Sequence, residues 1–460
     1  MSNPLHSEQQ YLYIAAQERA LLDAGSCLPL NARRDQAAEV LKKNGLPTHR
    51  VERYKYCDVP EAFAPNYGLN LRRVLTAKSP YETYRCNVPN LSTSFYLVVN
   101  DVVVPSQGHT AALPEGVEVC SLCEASAKMP DFIGEYYDKA ASKNEDGVTA
   151  VNTLLVQDGI LIYIPDGVQL KNPIQLVNVA TASKAPLMSN RRLLVVAGKG
   201  SKASVLLCDH AAPGVSALTT QVVEVFADEM AEISLYNIEE TADEIVRFSN
   251  LYAELQKNSR VSCNGVMLTC GTSRNTMDFR LMGEGASVVA NGAVVADAKQ
   301  RVDNNILVDH QAAGCTSDLL YKYVLDGESV GAYAGKVLVR PGAQQTTSEQ
   351  VNANICATPR AHAYTQPMLE IYADDVKCNH GSSIGKLDET ALFYMRQRGI
   401  PEAEARILLQ HAFINDVLRR VEIDHLRDRL SHLVELRFRG ELQKCRDCSL
   451  CLLYTSDAAD

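Results

Sequence analysis

Hydrophobic and polar positions change rhythm twice along the chain. Over the first fifty residues apolar positions recur at helical spacing: Tyr11, Ile14, Ala15 and Leu22 fall near one face. A second helix is expected around 36–43, stopped by Asn44-Gly45 and Pro47. A mixed stretch follows, in which FYLVVNDVVVP from Phe95 reads as two strands turning at Asn100-Asp101. From about Val148 to Val376 the texture becomes many short β-branched runs, such as ILIYI at 160–164 and LLVVA at 193–197, punctuated by glycine, aspartate or asparagine. That pattern predicts an all-β unit. A sandwich, a barrel and a solenoid all satisfy it. Scarce two-residue hairpin turns and recurrent small-residue turns lean toward stacked rungs of a parallel β-helix, although no clean period is visible.

Helical spacing returns after Gly385. Asp388 is placed to cap a helix that stops at Gly399, and Pro401 to open the next at its first position. Leu426, Leu430, Leu433 and Leu436 then form an apolar stripe that must bury against something, the preceding helix in the simplest case. The resulting organisation is an N-terminal helical/mixed domain over 1–125, a β core over 126–383, a C-terminal helical domain over 384–444 and a cysteine-containing tail over 445–460. A β core with its own interior is expected to keep its β structure when the helices after Gly385 are removed.

Composition narrows the function. A chain of 460 residues, 46% apolar, can bury a large core, and its formal charge of −10 without any long basic run argues against nucleic acid and anionic membrane partners. MSNPLHSEQQ lacks the basic-then-apolar pattern of an export signal, and no run approaches eighteen apolar residues, so a cytoplasmic location is expected. Fourteen cysteines scattered through so long a chain read as reduced thiols rather than a disulfide framework. Cys208, Cys270 and Cys356 sit in apolar runs and read as buried small hydrophobes, and the CSLC pair Cys120/Cys123 has redox spacing without a βαβ context. His310, Cys315 and His362 would form a second metal group only if neighbouring turns brought them together. GAYAGKVLVRPGAQQT, from Gly331, reads as glycines set at rung corners for positive φ. No phosphate-binding loop, nucleophile elbow or H-E-x-x-H motif is present, so neither ATP binding nor self-contained hydrolysis is expected.

The richest stretch chemically is ADDVKCNHGSSIG, from Ala373 to Gly385. In an extended segment alternate side chains share a face, so Cys378 and His380 flank one space while Asn379 points away. One thiolate and one imidazole suit zinc, iron or an iron–sulfur cluster, but two ligands make half a site. A C-x-x-C-x-x-C run at Cys445, Cys448 and Cys451 offers three more thiolates without a visible fourth ligand, and the LLYTSDAAD after it resembles adapter read-through. That tail is expected to be dispensable.

The segment from Pro367 to Arg398, with GIPEAEARILLQHAF after it, resembles the SufB/SufD family of iron–sulfur cluster assembly subunits. DGILIYIPDGVQLKNPIQL from Asp158, RRLLVVAGKGSKASVLLCDH from Arg191 and YKYVLDGESVGAYAGKVLVRPGAQQT from Tyr321 match as well, and ERYKYCDV from Glu52 more weakly. The cysteine two residues before the histidine in KCNHG favours the SufD side of the family. The resemblance implies a right-handed parallel β-helix and a non-enzymatic scaffold that pairs with SufB through the β-helices and docks the SufC ATPase on its C-terminal helices. It further implies a transient iron–sulfur cluster shared with SufB at His380 and Cys378. A homodimeric scaffold remains open, as does, less favoured, a β-helix carbohydrate-active enzyme.

Overall fold

A computed structural model describes residues 7–73, 88, 91–104, 113–181, 186–212 and 214–442. The cysteines of the tail, Cys445, Cys448 and Cys451, lie outside them. The β core is a solenoid of about seven turns whose strands alternate between two ten-stranded sheets, each pairing in parallel with the strand one turn on. One sheet runs from Ile160–Ile164 through Leu187–Ala197 to His362–Ile371, and the other from Ile174–Ala180 to Val376–Gly385. Side-chain hydrogen bonds between successive turns join residues 26, 27, 28, 29, 30 or 31 positions apart. Turns of unequal length hide the repeat from a search for a fixed period.

The two sheets face each other over a continuous apolar interior that runs from Val98, Ile162 and Val195 through Phe279 and Leu319 to Tyr333 and Val337. Many strands are buried on both faces, every residue of Leu187–Ala197 among them. Such strands lack a plain inward-apolar, outward-polar alternation because helices cover their outer faces, and the polar residues they carry, such as Asn190 and Arg192, are bonded inside the protein. On the first sheet the cover is N-terminal: Tyr11, Leu41, Phe63 and Val151 pack on Met188, Leu218 and Phe248. The helix Gly147–Leu155 is part of that cover, so the β stretch begins at Ile160 rather than Val148. All nine of its residues are buried, and its polar face, Thr149, Asn152 and Thr153, is turned into the protein, where it bonds Tyr252, the Arg191 carbonyl, Thr220 and Asp138. Arg192 locks this cover to the sheet. Its guanidinium bonds Asp138 at 2.7 Å and Glu224 at 2.8 Å, and Glu224 also accepts the backbone N–H groups of Asp138, Ala140 and Ala141.

On the second sheet the cover is C-terminal. Helices Glu389–Gln397, Glu402–Leu418 and Asp424–Arg439 follow the last strand. Leu426, Leu430 and Leu433 lie against the sheet with Val177, Leu206, Val266 and Leu320. The leucine stripe is therefore spent on the solenoid itself and not only on the preceding helix. Asp388 caps the first of these helices through the N–H groups of Thr390 and Ala391, Gly399 ends it at φ +85°, and Pro401 stands as N-cap of the next, one place before its expected position. The expected strand pair is present as Ser94–Val99 and Val102–Val104, antiparallel about Asn100 at φ +59°.

The glycines of GAYAG are a correction. Gly331 and Gly335 lie inside the strand Val330–Val339, and neither has positive φ. Both are there for close approach: a Cβ on Gly335 would stand 1.8 Å from Gln350 Oε1 and 2.5 Å from Tyr333 Oη. The turn that follows takes its positive φ at Gln345, at +59°.

The ends of the solenoid differ. At its beginning the antiparallel strands Val102–Val104 and Glu118–Ser121 close the two sheets. At its far end His362–Ile371 and Val376–Gly385 are the last strands of their sheets and are much more exposed than the strands beneath.

Candidate functional site at the open end

Cys378 and His380 lie on that terminal strand. Parallel register sets Cys378 on Ser348 and His380 on Gln350. Val376 and Cys378 pack against the interior, and alternation gives His380 the same inward face while Lys377 and Asn379 point outward. The thiol and the imidazole thus share the rim of the solenoid interior, as their spacing predicted. Cys378 is half-buried, and burial raises its thiol above the ordinary value while the Ser348 N–H partly offsets this. His380 is exposed. No group of three or more histidine, cysteine, aspartate or glutamate side chains able to hold a metal occurs among the described residues.

Across the mouth, the other terminal strand presents Ala363 and Leu369 to the same interior, and hence Thr365 and Pro367 between them. Register sets Thr365 on Tyr333. One turn below, the Tyr333 hydroxyl donates to Gln350 Oε1 at 2.8 Å across the interior. Thr365 therefore faces His380 as Tyr333 faces Gln350. Beneath this layer Tyr321, Tyr323 and Tyr333 are fully buried and fill the solenoid, closing the mouth to water from below. Sequence reasoning missed Thr365 and Gln350, since neither type at such spacing forms a motif.

The other candidates separate. His310 ends the strand Arg301–His310 and pairs with Val339, whereas His362 begins its strand and pairs with Val330. A ten-residue strand, about 30 Å, divides them. Cys315 is buried with its thiol on the Gly283 carbonyl at 3.3 Å. His310 is a core histidine: Nε2 meets Ser317 Oγ at 3.0 Å, and burial pushes its pKa down to about 4, against a small opposing effect of Asp309. Its folded state binds a proton only near pH 4 while the unfolded state binds one near 6.5, so stability falls as pH drops through that window. We expect wild type to lose on the order of 3 kcal/mol more than His310→Asn between pH 7 and pH 4. Urea unfolding at both pH values measures this, and equal losses would refute it.

Cys123 of the CSLC pair is engaged by Cys27 rather than Cys120: the Cys123 thiol hydrogen bond holds Cys27 below its ordinary value, and Cys123 is pushed far up. Cys208 and Cys270 are buried as expected, and Cys356 is half-buried.

Comparison with known proteins decides the family. The model for the SUF system iron–sulfur cluster assembly SufBD core domain matches residues 178–413, and that for the SufBD protein N-terminal region matches 5–176. The chain belongs to the SufB/SufD family. An iron–sulfur cluster assembly SufBD family protein of Synechocystis is 25% identical over 437 residues, covering 92% of this chain and 94% of that one. Iron–sulfur cluster assembly protein SufD of Bacillus subtilis is 23% identical over 326 residues, 70% of this chain and 74% of that one. A SufBD family protein of Mycobacterium bovis reaches 32% over 240 residues, covering 50% and 60% of the two chains. Membership in the SufB/SufD family carries a role in iron–sulfur cluster assembly. Among the described residues no helix is long and apolar enough to cross a membrane.

Proposed function

We propose that this chain is a non-enzymatic scaffold of the SufD type that holds one side of a nascent iron–sulfur cluster at His380 and Cys378. The observation that carries this reading is a half-site on a terminal strand whose outer edge pairs with no other strand among the described residues. Solenoids ordinarily protect their end rungs, and exposed strand edges invite pairing. Here one end is closed by antiparallel strands while the other carries the thiol, the imidazole and the exposed side chains of Ile371, Tyr372 and Ile384. A related β-helix, SufB, would cover this end and supply the missing ligands. The cluster is the cargo of the reaction. What this chain contributes is an imidazole, a thiol and a dry wall of tyrosines.

With the leucine stripe buried, the surface offered to the SufC ATPase is the outward side of the C-terminal helices, where Phe393, Tyr394 and Leu408 are 61%, 58% and 43% exposed. Phe393→Ser with Tyr394→Ser should weaken SufC retention at least about tenfold, as for aromatic hot spots, without affecting melting, since neither ring is buried. Unchanged retention would place SufC elsewhere. ATP turnover in the mixture belongs to SufC, because this chain lacks a phosphate loop.

A homodimer is the second reading, because the same open edge could pair with its own copy. Co-purification with SufB and SufC, followed by anaerobic reconstitution with iron and sulfide quantified per complex, tests the scaffold. The mass in solution of the chain with and without SufB separates the two readings.

A further inference from the structure

Two buried polar atoms at the mouth have no hydrogen-bond partner among the described residues: Gln350 Nε2 and Thr365 Oγ1. Gln350 is fully buried, and Tyr333 binds its carbonyl oxygen, so the carboxamide is held and the nitrogen is left over. Two further features fix that orientation. Gly335 lacks the Cβ that would collide with Oε1, and in-register neighbours stand on either side of Gln350, Leu319 on one and His380 on the other. Leucine accepts no hydrogen bond, so of the two in-register neighbours only His380 offers Nε2 a polar side. Thr365, on the opposite wall of that same layer, brings a hydroxyl. A buried donor left unsatisfied costs about 1–3 kcal/mol, and two at one rim beside a thiol and an imidazole call for a ligand.

We propose that Gln350 and Thr365 are hydrogen-bond donors to anionic sulfur, the sulfide of the forming cluster, bound between Cys378 and His380. A metal-ligating imidazole carries its remaining proton on the second ring nitrogen and cannot accept from Gln350, whereas a sulfide bound to iron is an electron-rich acceptor. The division of labour is then plain: Cys378 and His380 address iron, while Gln350 Nε2–H and Thr365 Oγ1–H address sulfur. Tyr333 acts through Gln350 as a positioning residue. This inference rests on the scaffold reading.

The test uses the full chain co-purified with its SufB-type partner, first titrated anaerobically with ferrous iron alone and then, iron-loaded, with sodium sulfide. Thr365→Val removes one donor and leaves nothing unpaired, so it should fold at least as well as wild type. Gln350→Met combined with Tyr333→Phe removes the second donor together with the hydroxyl that would otherwise lose its acceptor. We expect each to keep ferrous iron affinity within about twofold and to lower sulfide affinity about tenfold, the scale of one charge-assisted hydrogen bond. Thr365→Ser, which keeps the hydroxyl, should restore it. Wild-type sulfide affinity in both folded variants overturns the inference, and so does an equal loss of iron and sulfide, which would mean that these residues only position the ligands. Should His380→Ala and Cys378→Ser bind iron and sulfide as wild type does, the scaffold reading itself falls; if those two lose iron while the Gln350 and Thr365 variants keep sulfide, the inference alone falls.

Discussion

His380→Ala is expected to cut cluster yield at least about tenfold, more than the loss of a partner that merely orients a ligand, while leaving fold and pairing with SufB unchanged. The imidazole is exposed on the last strand, so its removal should change stability by no more than about 0.5 kcal/mol. Cys378→Ser should be milder, because serine keeps the shape, the half-buried site and a weaker oxygen ligand. Iron and acid-labile sulfide per purified complex measure the effect, with circular dichroism as control. Full cluster yield from the His380→Ala complex would remove the residue from the site, and insoluble protein would make it a structural histidine.

Removing everything after Gly385 is expected to abolish not only SufC association but soluble protein, contrary to the expectation from sequence that the solenoid would stand alone. The helices cover an outer sheet face that includes Val177, Leu206, Ile238, Val266 and Leu320. Each such side chain contributes about 1.5–3 kcal/mol when buried. Exposing five of them already costs as much as the whole net stability of an ordinary domain, about 5–15 kcal/mol. Leu430→Ala is the graded version: a side chain 1% exposed in that layer should cost about 2–5 kcal/mol. A truncated chain that stays soluble, with a native β spectrum and no dye-binding apolar surface, would show that the solenoid is self-sufficient.

Much of this was legible in the sequence, for reasons that can be named. Alternation placed Cys378 and His380 on one face because strand periodicity is a strict two. The solenoid was suggested by its turn chemistry, but its repeat stayed hidden because turns of 26 to 31 residues share no period. The helix Gly147–Leu155 was lost in the β texture because Val148, Thr149, Val151 and Thr153 are β-branched, as in a strand, and because its polar positions Thr149, Asn152 and Thr153 bond inward instead of marking a solvent face. The glycines of GAYAG suggested corners because positive φ is the commoner use of glycine; their actual use depends on Gln350, a partner fifteen residues from Gly335 whose approach no local pattern encodes. Thr365 and Gln350 could be found only by asking which buried polar atoms lack a partner once the turns are stacked.

The segment around Arg53 carries a consequence for how the molecule is made. Arg53 bonds Asp278 and Asn305, Arg274 stacks on Tyr54, Glu52 accepts from Gln366, and Tyr56 stacks on Tyr364 with ring centres 4.5 Å apart. These partners sit on the strands Thr272–Leu281, Arg301–His310 and His362–Ile371, up to 314 residues further along the chain. At about 5–20 residues per second, the ribosome delivers the last of them roughly 15–60 s after the first. Throughout that interval the early segment has only part of its seat, such as Asp146, which accepts from the Tyr54 hydroxyl. It can dock in full only when the intervening coils have been laid down in the correct number and registry, because a missing or slipped coil would carry Tyr364 away from Tyr56. The segment thus serves as a gauge of length: strands whose backbone pairing reaches only the next turn are checked here by side chains that span several turns at once.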